Sequence, residues 1–452
     1  MNDMTDISSK KAAIRAIPRH RAAPRASRGP VPLTTDASAG VGPYDRLLAD
    51  LSSELVALRR KGLDRRLITV EAIGGPVVRV EGKTVVSWCS NDYLGLSSHP
   101  ALAEAAARAA AAFGIGARAS RLLAGTTSWH ARLEESLAAW FGAEAALVYS
   151  SGYLTSLGSL AALLSSQDAV YLDRCAHASL FDAARASRAT VRIFQHDDVA
   201  DLTRVLSRAT ARRRVVITEG VFSMDGDVPP LAELVEVAET HGALVYLDDA
   251  HGAFVLGATG RGAPEAAGIP HRRLLYMATL GKALGCQGGC VVGPRVLIDL
   301  LRHRARTFIY TTAPSVPVTA AAVAALEVLR SEPQRREVLW ERVHRLRRGL
   351  GSVGIEPGAS ASPIIPILIG GTRQATDLSR RLWERGLWAP AIRPPTVPEG
   401  AARLRLSVTA RHTEAQIDQL VEALRDALIR GAARPAYRPH GRVRYAQGST
   451  VR

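Results

Sequence analysis

Between residues 145 and 277 short apolar runs alternate with helical segments, and this alternation constrains the fold more than any other feature of the chain. The runs 145–149, 169–172, 191–194, 214–218, 243–247 and 274–277 are rich in Val, Ile, Leu and Tyr and have strand length. Segments of helical pattern lie among them at 178–187, 198–207 and 230–240. Strands joined through helices pair in parallel, since a parallel partner needs a long crossover, and the resulting sheet is covered on both faces. The expected fold is therefore α/β, with a large, mostly parallel sheet domain and a smaller α+β C-terminal domain. Ligands of such sheets gather beyond the carboxyl ends of the strands.

Those ends carry polar residues. Run 169–172 leads to His177, and run 214–218 leads to Glu219 and Ser223. Run 243–247 leads to Asp248 and His251, and run 274–277 to Thr279 and Lys282. The chain has five lysines, four of them before residue 84, so Lys282 stands alone in the remainder. Its neighbours are glycines and small residues. A lysine desolvated in such a loop has a lowered pKa and becomes a Schiff-base nucleophile.

The rest of the chain can be placed around this rim. Leucines 47, 48, 51, 55 and 58 recur at helical spacing within 43–63, with Arg65 and Arg66 directly after. Residues 77–89 alternate as a hairpin turning at Glu81-Gly82-Lys83, followed by a polar stretch from Ser90 to Leu96. The alanines of 101–112 favour a helix. Gly114-Ile115-Gly116 has no strand before it, so it is no dinucleotide fingerprint. A helix over 130–141, the run 145–149 and the turn Ser150 to Ser156 form strand, glycine turn and helix, the arrangement that aims backbone N–H groups at a phosphate.

A length of 452 residues allows several domains. We expect a basic, disordered extension over 1–43, a helix and hairpin segment over 44–100, the large domain over 101–315, the small domain over 316–430 and a basic, disordered tail over 431–452. The formal charge of +16 invites a nucleic-acid reading until it is mapped. Residues 1–43 hold two Lys and five Arg against three Asp, and 431–452 hold five Arg and no acid, so nine of the sixteen charges lie outside the body. No nucleic-acid partner is expected, since no recognition motif accompanies the charge. Four scattered cysteines fit a reducing cytoplasm, and Cys286 and Cys290 lack a second ligand pair, so no metal is expected. No apolar run is long enough to span a bilayer and no secretory segment is read, so the expected location is cytoplasmic, without a membrane.

A lysine poised for a Schiff base, a neighbouring carboxylate, an imidazole for stacking, and hydroxyls with a helix N-terminus for phosphate together describe a site for pyridoxal 5'-phosphate. Asp248 suits the pyridine nitrogen, His251 the phenolic oxygen, His177 the ring face, and Thr279 with the Gly152-Tyr153 turn the phosphate.

Five motifs sharpen this. They are Ser-Asn-Asp-Tyr-Leu-Gly-Leu (90–96), Thr-Glu-Gly-Val-Phe-Ser-Met-Asp-Gly-Asp (218–227), Asp-Asp-Ala-His-Gly (248–252), Thr-Leu-Gly-Lys-Ala-Leu-Gly (279–285) and Phe-Ile-Tyr-Thr-Thr (308–312). In order and spacing they resemble the α-oxoamine synthases across about residues 45 to 430. The resemblance implies a fold-type I (aspartate-aminotransferase-like) pyridoxal-phosphate transferase that condenses an amino acid with an acyl thioester, on CoA or a carrier protein, and releases carbon dioxide. It implies that Lys282 holds the cofactor covalently and then removes the substrate's α-proton, with His177 and Asp248 as its catalytic companions. Ser223, His251 and Thr279 would hold the cofactor, with Thr311 and Thr312 reaching its phosphate from the second subunit of a homodimer. Asn91 and Arg405 match positions for the amino-acid carboxylate, and Arg65 and Thr396 positions for the acyl substrate.

Ala391 to Pro398, followed by Ala402 to Leu406, is most similar to the family's alanine-using branch, which points to L-alanine and a pimeloyl thioester in biotin biosynthesis. The same residues leave open a sibling synthase with another acyl thioester or with glycine or serine, an aminotransferase, and a cofactor-sensing regulator. The chain departs from the family at Ala117-Arg118-Ala119, where glycine or serine is usual, at Ser156, where asparagine is frequent, and in its Arg-rich tail.

Overall fold

The computed structural model of the chain describes residues 42–430 apart from 62, 209 and 359, so the extensions expected over 1–43 and 431–452 lie outside the described residues except for 42 and 43. The chain divides into two compact units, Met1–Leu67 and Ile68–Arg452. In the first, the expected helix forms as α1 (Pro43–Arg60). Pro43 occupies the first turn, where its missing N–H costs nothing, and Asp45 and Arg59-Arg60 complement the two ends of the helix dipole.

The second unit opens with β1 (Val70–Gly74), β2 (Val77–Val80), β3 (Lys83–Ser87), α2 (Pro100–Phe113), α3 (Ser128–Phe141) and β4 (Ala145–Tyr149). The alternating core follows as α4 (Gly152–Leu163), β5 (Ala169–Asp173), α5 (Ala178–Ala186), β6 (Thr190–Phe194), α6 (Val199–Ser207), β7 (Arg214–Glu219), α7 (Leu231–Thr240), β8 (Leu244–Asp248), α8 (Ala263–Ala266), β9 (Leu274–Thr279) and β10 (Gly289–Gly293). The remainder is α9 (Arg295–Arg304), α10 (Arg306–Ile309), α11 (Val316–Ser331), α12 (Gln334–Ser352), β11 (Ile364–Gly370), α13 (Thr372–Glu384), β12 (Leu387–Trp388), β13 (Ala391–Ile392), β14 (Ala402–Ser407) and α14 (Glu414–Arg430).

Seven strands form the main sheet in the order β4-β10-β9-β8-β7-β5-β6. All pairings are parallel except those of β10, which runs antiparallel between β4 and β9. The sheet is buried on both faces, and the two-residue strand period sorts its side chains into two cores. Val148, Tyr171, Val216, Leu247 and Tyr276 pack with Leu137, Leu202 and Leu234 of α3, α6 and α7. Their neighbours Leu147, Val170, Ile217, Tyr246 and Met277 pack with Leu160, Leu180, Leu301 and Phe308 of α4, α5, α9 and α10. This is the doubly covered layer architecture that the continuous apolar runs imply.

The expected hairpin is β2 and β3, and it carries β12 from the C-terminal part of the chain as a parallel partner of β3. A third sheet, β11-β14-β13, is antiparallel. Its central strand bears Arg403 and Arg405, and both reach the loop that follows β7.

Candidate active site

The carboxyl ends of β5, β7, β8 and β9 end in Asp173, Glu219, Asp248 and Thr279. Glu219 stands opposite Asp248 in register, and Asp248 opposite Met277. The sheet's pairing therefore brings residues far apart in sequence to one edge.

Lys282 follows β9 in a turn closed by a bond from the Gly285 N–H to the Lys282 carbonyl. Its Nζ lies 2.8 Å from His251 Nε2. Burial pushes the amine's pKa down to about 8, while Asp248 and Glu219 pull the other way. Asp248 is 4% exposed and accepts the Ala250 N–H at 3.0 Å. Burial raises its pKa, against the opposing charges of Lys282 and His177. Glu219 is similarly buried, accepts the His177 N–H at 2.6 Å and is driven well upward by burial and by Asp248.

His251 is buried, and its Nδ1 lies 2.6 Å from the Tyr93 hydroxyl. The Tyr93 hydroxyl donates to Asn91 Oδ1 at 3.3 Å, and the same oxygen accepts from Arg405 at 3.4 Å. A directed chain thus runs from the Lys282 amine through His251 and Tyr93 to Asn91, which Arg405 also meets. Arg405 is 8% exposed and bonds the Ser223 carbonyl and Ser407 Oγ. No carboxylate pairs with it among the described residues. A buried guanidinium that meets only neutral acceptors is an incomplete arrangement, since buried charges are normally paired.

His177 caps α5 and accepts the Ser179 N–H at Nδ1. His177 is an exposed residue, yet the surrounding protein lowers its pKa, with Asp248 opposing and Lys282 adding to the effect. Thr279 Oγ1 donates to the Gly288 carbonyl at 3.1 Å and accepts the Gly281 N–H at 3.2 Å. Gly152 begins α4 directly against it. A Cβ on Gly152 would meet the Met277 methyl at 2.8 Å and the Thr279 side chain at 3.5 Å, so a larger residue there would have to push the Met277 side chain aside. The first N–H groups of α4 have no intrahelical acceptor.

The sequence profile of the aminotransferase class I and II family matches residues 83–424. The 8-amino-7-oxononanoate synthase of Anaeromyxobacter dehalogenans is 47% identical over 374 residues, which are 83% of this chain and 94% of that protein. The chain belongs to the pyridoxal-phosphate-dependent α-oxoamine synthases. The enzyme of the same name from Azoarcus is 45% identical over 381 residues, 84% of this chain and 96% of that one. Among solved structures, a serine palmitoyltransferase with its pyridoxal-phosphate internal aldimine aligns with a TM-score of 0.80 at 31% identity, over 85% of this chain and 98% of that one. The 8-amino-7-oxononanoate synthase of Francisella tularensis aligns at 0.68 and 27%, over 76% and 98%.

This α-oxoamine synthase gathers Lys282, Asp248, His251, His177, Asn91, Arg405 and Ser223 into one bonded and electrostatically linked cluster, with Gly152 and Thr279 packed together. Tyr153, next to Gly152, is 44% exposed and bonds Asp182 at 2.5 Å. Four expected residues stand outside these contacts. Thr396 is exposed in a turn closed on the Arg393 carbonyl, and Arg65 lies in the first unit. Thr311 precedes Thr312, which bridges to Ser120. Tyr93 and the role of Glu219 were missed in the sequence. The signal for Tyr93 was its place inside the 90–96 motif, and for Glu219 its position as the last residue of a strand.

Two of the departures from the family have local explanations. Ser156 is fully buried and accepts a bond from the Tyr246 hydroxyl at 3.1 Å, so it serves the core. Arg118 is exposed at φ 68°, in the left-handed region, and donates to the Phe113 carbonyl at 3.2 Å.

Proposed function

We propose that this α-oxoamine synthase condenses L-alanine with a pimeloyl thioester, giving 8-amino-7-oxononanoate, carbon dioxide and free thiol, a step of biotin biosynthesis. The observation that carries the reading is the Lys282 amine, depressed to about pH 8 and set 2.8 Å from His251 beside two buried carboxylates, in a chain 47% identical to a synthase of that name.

The residues present fit pyridoxal phosphate. The start of α4 sets Gly152 beside Thr279, where a Cβ would crowd the Met277 methyl, and Asp248 is a buried acid within electrostatic reach of Lys282. When bound, the cofactor supplies a ring that withdraws electrons from the substrate's α-carbon. Gly152, Tyr153 and Thr279 would hold its phosphate, with Thr311 and Thr312 expected from the partner subunit of a homodimer. Asp248 would keep positive charge at the ring nitrogen, His251 would meet the phenolic oxygen, and His177 and Ser223 would fix the ring's pose.

Lys282 would hold the cofactor covalently and, once displaced by the amino acid, take the α-proton at Nζ. An amine titrating near 8 has a far larger neutral fraction at pH 7 than a free lysine, and only the neutral form can take the proton. Arg405, with Asn91, would supply the missing pairing to the substrate carboxylate. Arg65 and Thr396 are the proposed contacts of the acyl chain.

A sibling reaction with serine or glycine and another acyl thioester is the second reading, favoured by the higher TM-score against serine palmitoyltransferase. Thiol release with L-alanine and pimeloyl-CoA, read alongside L-serine and palmitoyl-CoA, separates the two. The proposal expects turnover and an 8-amino-7-oxononanoate mass with the first pair, and turnover with the second pair alone would overturn it.

A further inference from the structure

His196 lies outside the Lys282 cluster, yet it ties together two loops that build it. It follows β6, and its Nδ1 stands 3.0 Å from Asp173 Oδ1 and 3.2 Å from Oδ2. Its Nε2 stands 2.8 Å from Asp227 Oδ2 and 3.5 Å from Asp197 Oδ2. The Phe222 ring meets the imidazole edge-on at 4.4 Å. A ring with carboxylates at both nitrogens carries both protons, because each nitrogen must donate. No lone pair is then left for a metal, although ligand atoms of Asp173, Cys175 and His196 lie within 4.8 Å of one another.

The two carboxylates anchor different loops. Asp173 is fully buried at the end of β5, accepts the Cys175 N–H at 2.8 Å and precedes His177 by four residues. Asp227 closes the loop after β7, where the Phe222 N–H donates to the Asp227 carbonyl at 3.0 Å, and Ser223 lies in that loop. From the other side, Arg403 bonds Asp225 and Arg405 bonds the Ser223 carbonyl. The 222–227 loop is therefore gripped between His196 and β14. A short, rigid, two-ended cation suits this span, and a lysine with one donor head would not reach both carboxylates in a fixed geometry.

We propose that His196 is a positioning residue that, through Asp173 and Asp227, fixes the 173–177 and 222–227 loops against each other and so sets where His177 and Ser223 stand. The proposal rests on the assignment of these two residues to the cofactor's pose.

The variants that test it are His196→Gln, which retains one donor, and Asp227→Asn, which retains shape without charge. Each is measured as holoenzyme by thermal unfolding, by visible circular dichroism of the bound cofactor, and by kcat and KM, alone and combined with His177→Ala. His196→Gln should bind the cofactor at full stoichiometry with an altered visible dichroic band. Its kcat should fall about 10-fold to 100-fold, the cost of a displacement on the order of 1 Å, with KM for the thioester little changed. The double variant with His177→Ala should lose less than the product of the two single losses, since the share passing through His177 is already gone and only the share passing through Ser223 remains. A native dichroic band with native kcat, or losses that multiply in the double variant, would overturn the proposal. If His196→Gln does not fold, Asp227→Asn with His177→Ala is read by the same criterion. Stoichiometric Zn²⁺ binding to the native protein that disappears in His196→Gln would also overturn it. The dichroic band reports the loops even if the thioester is not the one proposed, so the two readings fail separately.

Discussion

Lys282 Nζ stands 2.8 Å from His251 Nε2, and the other nitrogen of that ring stands 2.6 Å from the Tyr93 hydroxyl. With the amine donating to Nε2, the proton on Nδ1 points to Tyr93, and Tyr93 in turn donates to Asn91. The tautomer of His251 is thereby fixed from both sides. Tyr93→Phe removes the acceptor from a buried N–H, which costs about 1–3 kcal/mol. Thermal unfolding should show that loss, while Tyr93→Phe should still bind cofactor; an unchanged midpoint would contradict the bond's role.

The amine's pKa gives a pH-dependent prediction. Burial lowers the folded value from 10.5 to about 8, so between those limits the unfolded chain binds more protons than the folded one and stability rises with pH. Below 8 the desolvation penalty is fully present. Lys282→Met should therefore stabilise the cofactor-free protein at pH 7, on the order of 2 kcal/mol, with the advantage fading above pH 8. Amine-modification rates at Lys282 should show a midpoint near 8, and a midpoint near 10.5 would contradict the account.

Arg405 offers a buried cation with neutral partners only among the described residues. Arg405→Lys replaces a planar fork with a point charge and loses charge-assisted bonds of about 1.5–3 kcal/mol to a carboxylate. KM for the amino acid should rise roughly 10-fold to 100-fold, with KM for the thioester nearly constant. An equal rise in both would point to general disruption instead.

Acid should destabilise the fold through two histidines remote from the chemistry. His412 stacks on Trp88 at 3.9 Å, accepts the Thr409 N–H at Nδ1 and bonds the Ser87 carbonyl through Nε2. His130 accepts the Thr127 N–H at Nδ1 and bonds the Pro314 carbonyl through Nε2. Each ring has one nitrogen as acceptor and is therefore neutral, and burial lowers both pKa values to about 4. A depressed folded pKa means that stability is present above 6.5 and is lost as pH falls toward 4, by roughly 2–3 kcal/mol per ring. His412→Gln should flatten the acid limb of the stability profile even if it lowers stability at pH 7. A limb of unchanged steepness would count against this assignment.

The sheet and its rim were legible because the apolar runs are continuous and each is followed by a polar residue. Parallel pairing then puts those residues on one edge without further information, which is why Lys282, Asp248, His251 and His177 could be named together. What could not be read depends on contacts across long stretches of chain. Strand β10 begins at a glycine and looks like part of the Lys282 loop, yet it runs antiparallel between β4 and β9. The bond from Tyr93 to His251 spans 158 residues, and the clamp from His196 to Asp227 spans 31 and needs the third group, Asp173, to make sense. β12 is two residues long and gives no periodic signal at all.

Lys282 is the proposed attachment point of the cofactor. The chain has five lysines, so the attachment point can be read without ambiguity. The holoenzyme, reconstituted with pyridoxal phosphate, is reduced with borohydride, digested and mapped by mass spectrometry, with Lys282→Ala as control. The account predicts one reduced pyridoxyl adduct, on the peptide containing Lys282, and none in the control. An adduct at Lys10, Lys11, Lys61 or Lys83 instead, or a Lys282→Ala protein that retains both adduct and turnover, would contradict it.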